Sequence, residues 1–129
     1  MLDLALLPDD YAICRLPPGK ALPSALLELA GGSHLVSVTW TTDEVSILCP
    51  AEFAPEDAAV ETPWRCIRVA GPVDLALTGI LASIVNPLGE ARVNVFAFST
   101  YDTDYVLVPA VRLTEAMAAL TAAGHRVSS

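Results

Sequence analysis

Six consecutive polar or amphipathic residues, Ser99-Thr100-Tyr101-Asp102-Thr103-Asp104, stand between two apolar runs. A turn between buried strands needs only one or two turn formers, such as Gly or Asn. This one offers hydroxyls, a phenol ring and two carboxylates at a strand end. Such groups suit an α-ammonium or another cationic part of a small ligand, through charge-assisted hydrogen bonds. The alternative is a solvated hairpin turn whose Asp and Thr side chains bond their own backbone. Asp102 and Asp104 could also serve as an acid–base pair or hold a divalent cation, but a metal would recruit more oxygen ligands than this turn supplies.

A second feature is Gly71-Pro72, followed by a helical pattern that contains Gly79. Glycine inside a helix costs about 1 kcal/mol relative to alanine, so Gly79 points to close approach by a backbone or a ligand. Packing of the helix against a sheet explains it equally well.

The rest of the chain carries no enzyme motif: no phosphate-binding glycine loop, no HExxH and no nucleophile elbow. Gly31-Gly32-Ser33-His34 leads into a strand, not a helix N-terminus, and so does not cradle phosphate. His34 and His125 are the only histidines, and nothing suggests a Ser-His-Asp arrangement. Cys14, Cys49 and Cys66 lack metal-ligand spacing and lie in apolar, strand-like runs. Their odd number, with no signal peptide visible at the N-terminus, suggests reduced thiols packed as small hydrophobes in a cytoplasmic protein. No catalytic residue, metal ligand or cofactor is expected.

Acidic residues outnumber basic ones 15 to 7, for a net charge of −8 in 129 residues. The basic residues are scattered, so the average field repels polyanions and anionic membranes alike. With 53% hydrophobic residues the chain can build a core. No apolar run approaches the roughly 18–20 residues of a membrane-spanning helix.

Pro50–Pro63 concentrates proline and acidic residues and divides the chain into units 1–60 and 61–129. In the second unit, Trp64–Val69 reads as a strand. Val73–Val85 reads as a helix with Asp74 near its positive end, stopped by Asn86-Pro87-Leu88-Gly89. Val93–Ser99 and Tyr105–Val108 are strands flanking the polar turn. Pro109–Ala123 is an Ala-rich helix with Val111, Leu113, Met117 and Leu120 as core candidates, capped by Gly124. His125–Ser128 closes the order βαββαβ, a ferredoxin-like split β-α-β. The first unit echoes it: a strand at Tyr11–Leu16, a short helix at Leu22–Ala30, and strands at Leu35–Trp40 and Val45–Cys49. Its second helix must fit within Pro55–Val60 or be missing. VSVTWTTDEVSILCPAE and VNVFAFSTYDTDYVLVPAV share a strand–polar turn–strand–Pro-Ala layout, with two more turn residues in the second copy.

The string FSTYDTDYVLVP, together with GPVDLALTGILASI, resembles the ACT domain superfamily, most nearly the small tandem-ACT proteins similar to the ACT regions of aspartate kinases and to cytosolic arginine sensors. The resemblance implies an α+β fold of two tandem ferredoxin-like (βαββαβ) units with antiparallel sheets and helices on one face, the first unit degenerate. It implies a non-catalytic regulatory or sensory module that binds a small ligand, an amino acid, at the interface between paired units. The alternative is a structural or assembly subunit with a vestigial site. Carried over by residue, Thr100 and Tyr101 would contact the ligand through backbone and ring. Asp104 would meet its positive group, with Ser99 and Asp102 as lesser candidates. Leu77, Thr78 and Gly79 would hold the helix start close. A homodimer pairing the second units is the expected assembly, with no nucleic-acid or membrane partner.

Overall fold

The computed structural model describes residues 1–71 and 77–129. The chain forms two compact units, Asp9–Trp64 on one hand and Met1–Pro8 with Arg65–Ser129 on the other. Two long strands, β1 (Asp3–Leu16) and β4 (Ala59–Val69), contribute to both. No described helix is long and apolar enough to cross a membrane.

In the unit Asp9–Trp64, β1 is followed by α1 (Ser24–Leu27), β2 (Ser37–Trp40) and β3 (Val45–Pro50). A 3-10 turn at Ala51–Phe53 then leads into β4. The antiparallel register pairs Ala12 with Cys49, Cys14 with Ile47 and Leu16 with Val45. Directly opposed residues share a face, and these six are all buried in one cluster with Leu26. This explains why YAICRL and VSILC alternate. The expected helix at Leu22–Ala30 shrinks to the four residues of α1, continued only by turn bonds such as Leu29 N–H to Leu26 carbonyl. Among the described residues the unit has no second α-helix; the 3-10 turn lies where a βαββαβ unit would put it. Degeneracy of the first unit therefore means a helix reduced to a single turn. Pro50–Pro63 is less of a break than its composition implies, because β4 already begins at Ala59 and runs through Pro63, whose bond to Thr62 is cis.

The other unit runs from β4 through α2 (Ile80–Glu90), β5 (Phe96–Ser99), β6 (Asp104–Pro109) and α3 (Leu113–Ala122) to β7 (Arg126–Ser128). It is a βαββαβ unit, and β7 pairs parallel with the start of β1, Asp3 opposite Arg126. Its core gathers Leu4, Ile67, Val69, Ile84, Leu88, Val106, Val108 and Leu120. Gly124, at φ +96, ends α3 as expected, its N–H donating to Thr121 carbonyl. Val111, by contrast, is 83% exposed in a 3-10 turn preceding α3, and Ala116 takes the core position.

α2 departs most from expectation. Val73 and Asp74 lie outside the described residues. The helix starts only at Ile80, so Gly79 precedes it as a left-handed N-cap at φ 77, and no atom lies within 4 Å of where its Cβ would be. Backbone conformation explains this glycine, not close approach by a neighbour. At the other end the helix runs through Pro87 and Gly89, because Leu88 extends the apolar face begun by Ile84 and both are buried. Proline cannot donate to the carbonyl four residues back, here that of Ser83. His125 replaces the missing donor: its Nε2 lies 2.8 Å from Ser83 oxygen, while its Nδ1 accepts the Leu2 N–H at 3.1 Å.

Candidate functional site

The polar turn closes the β5–β6 hairpin. β5 and β6 pair antiparallel, with Phe98 opposite Tyr105 and Ser99 opposite Asp104. The two rings stack at 4.8 Å between centroids and 5° between planes, which stiffens the stem below the tip. Ser99 Oγ donates to Asp104 Oδ1 across the last strand pair. Beyond it, Thr100 N–H donates to Thr103 carbonyl at 2.9 Å, leaving Tyr101 and Asp102 as the outermost residues. Tyr101 is 83% exposed.

One side of the tip is pinned. Thr103 is 7% exposed, and its hydroxyl donates to Val69 carbonyl, at the end of β4, at 2.6 Å. A Cβ on Gly71 would lie 3.2 Å from both Asp102 oxygen and Thr103 Cβ, so this glycine lets the β4 exit pass under the tip. The sequence alone assigns neither role, although Gly71-Pro72 stands out in it ahead of the helical pattern. Thr103 gave only a faint signal, being one hydroxyl among four in a polar run.

The structure thus gathers Ser99, Thr100, Asp102 and Asp104 with Thr103 and Gly71. Leu77, Thr78 and Gly79 stand exposed before α2, and among the described residues no hydrogen bond joins them to the tip. The tip carries Asp102 and Asp104 with no basic side chain in the run, so its chemistry favours a positively charged group. Among the described residues no group of three or more His, Cys, Asp or Glu could hold a metal. The three cysteines are free and buried. Burial pushes the Cys66 thiol up to about 12. Cys14 is drawn down by its hydrogen bond with Cys49, and the same bond, with burial, pushes Cys49 up.

Thr103→Val keeps the shape and removes the hydroxyl that satisfies Val69 carbonyl. It is expected to lower the unfolding free energy by about 1–2 kcal/mol, measured by urea denaturation. A change within a few tenths of a kcal/mol would mean that the pin contributes nothing.

The family model for the ACT domain matches residues 59–122, and a second model, for an N-terminal domain, matches residues 9–57. The bovine protein "Cytosolic arginine sensor for mTORC1 subunit 1" is 36% identical over 66 residues, which is 47% of this chain and 19% of that protein. This chain therefore spans about a fifth of the length of that curated relative. Among solved structures, a protein from Agrobacterium tumefaciens is 35% identical with a TM-score of 0.87, covering 98% of this chain and 92% of that one. The regulatory subunit of aspartate kinase from Thermus thermophilus, in its ligand-free form, shares the fold at a TM-score of 0.66 and 15% identity, covering 94% of this chain and 96% of the other.

Proposed function

Because the chain belongs to the ACT domain family, we propose that it is a non-catalytic regulatory or sensory module of the cytoplasm. It binds an amino acid where its C-terminal unit pairs with that of a second copy. The observation that carries this reading is the pinned tip at residues 99–104: an acidic hairpin end, inside the segment the ACT model matches, held against Gly71 by Thr103. Asp104 meets the ligand's ammonium, Thr100 and Tyr101 line it through backbone and ring, and Ser99 and Asp102 assist. Leu77, Thr78 and Gly79 approach from the start of α2. A ligand held by two copies stabilises the paired state in proportion to its preference for that state. Two-fold pairing makes two equivalent sites. β5 supports this assembly, since among the described strands it pairs only with β6, leaving a ladder edge for another chain. A monomer mass that does not change with concentration in sedimentation would remove the pairing.

A second reading, an assembly subunit with a vestigial site, is favoured by the bonds of Ser99 with Asp104 and Thr100 with Thr103, which satisfy the tip internally. Thermal melting against an amino-acid panel separates the two. Sensing predicts a lift of several degrees by one compound; saturation at a hundred times Kd adds about 2.7 kcal/mol. Asp104→Ala should abolish that lift and leave the unliganded melting point almost unchanged. Silence across the panel supports assembly, and a lift that survives Asp104→Ala would sink the site assignment.

A further inference from the structure

The unit Asp9–Trp64 holds a concavity of its own, about 260 Å³, between α1 with the turn that follows it and the inner face of β2. Leu22, Leu26, Leu29, Val36 and Val38 line it, and all but Leu26 are only half-buried. A single imidazole interrupts the apolar wall. His34 stands edge-on to Phe53 at 5.6 Å between centroids, which fixes its plane. Its Nδ1 is covered, makes no hydrogen bond, and lies 3.8 Å from Asp9 Oδ2. The carboxylate on that side favours the tautomer with the proton on Nδ1, which leaves Nε2 as the lone-pair acceptor of a residue that lines the pocket. Apolar walls with one oriented polar group are the usual make-up of a small-molecule site.

The geometry points to a second binding site here, for a short branched aliphatic chain that ends in an ammonium group. The hydrocarbon fills the leucine- and valine-lined space, and the ammonium donates to His34 Nε2. The nearby Asp9 carboxylate and the chain's net charge of −8 both favour a cation over an anion. A carboxylate would face the Nε2 lone pair with no proton between them. Two sources share this chemistry, an aliphatic amine and the ammonium end of a branched aliphatic amino acid.

The test is a two-dimensional NMR titration of the full chain with isopentylamine, leucine, isopentanol and isocaproate. Isopentylamine is expected to shift the His34 ring and Val38 methyl signals, with isopentanol about tenfold weaker and isocaproate without effect. Leucine moving the same signals identifies an amino acid as the source, whereas leucine leaving them still identifies an amine. His34→Ala should weaken isopentylamine at least tenfold, and Val38→Phe, on the edge strand, should abolish its binding by filling the space. The proposal is overturned if isopentylamine leaves His34 and Val38 unmoved at millimolar concentration, or binds both variants as it binds the parent. Signals of Thr100 and Tyr101 report the hairpin tip in the same spectra, so failure at either site is read separately.

Discussion

His125→Ala is expected to lower the unfolding free energy by about 3 kcal/mol and the melting temperature by roughly 10 °C. The imidazole is 5% exposed and bonds at both nitrogens, to Leu2 N–H at the start of the chain and to Ser83 carbonyl in α2. Removing it leaves two half-buried backbone groups without partners, and a group orphaned in this way costs about 1–3 kcal/mol when water cannot reach it. Pro87 makes the second loss specific, because no helical N–H can take the place of His125 at Ser83. The matching experiment is a double-mutant cycle with Pro87→Ala, which restores an N–H four residues after Ser83. In that background the cost of His125→Ala should fall by about 1 kcal/mol. Urea unfolding of the four proteins checks it, and amide exchange at Leu2 should accelerate in both His125→Ala chains. A loss below 1 kcal/mol, or no coupling to Pro87, would mean that the imidazole merely fills space.

The same contact shows why parts of the fold escape a reading of the sequence. Asn86-Pro87-Leu88-Gly89 carries ordinary stop signals, and the group that offsets them is 42 residues from Ser83. The helix continues because burying Leu88 on the core outweighs a proline whose orphaned carbonyl has found another donor. Local pattern also missed the first half of β1, where Pro8-Asp9-Asp10 looks like a turn. The strand persists because Arg126 N–H bonds Leu2 carbonyl and Ala70 N–H bonds Asp3 carbonyl, pairings set by β7 and the end of β4. What was legible was local: the alternation in YAICRL and VSILC, the β5–β6 hairpin, Gly124 after α3, and the run that forms the tip. The tip's anchor was not, since Thr103 and Val69 are 34 residues apart.

That anchor rests on Gly71 as well as on Thr103. Gly71→Val should cost about 2 kcal/mol and remove any amino-acid-dependent rise in melting temperature. A Cβ alone would already sit 3.2 Å from Asp102 oxygen and Thr103 Cβ. Valine adds two methyl groups against backbone that cannot yield like a flexible side chain, and overpacking of this kind costs about 1–3 kcal/mol. The least costly escape is for the tip to lift, which breaks the Thr103 bond to Val69 and carries Thr100, Tyr101 and Asp104 out of register with the end of β4. Asp104→Ala deletes the charge but leaves the tip in place, so the two variants separate geometry from electrostatics. If the ligand's ammonium needs only a nearby carboxylate, Gly71→Val will bind almost normally. If it needs the carboxylate held where Thr103 and Gly71 put it, both variants will lose the rise, and only Gly71→Val will lose stability without ligand. Thermal melting and calorimetric titration of the two proteins decide between these. A Gly71→Val chain with unchanged stability would show that the close approach beneath the tip constrains nothing.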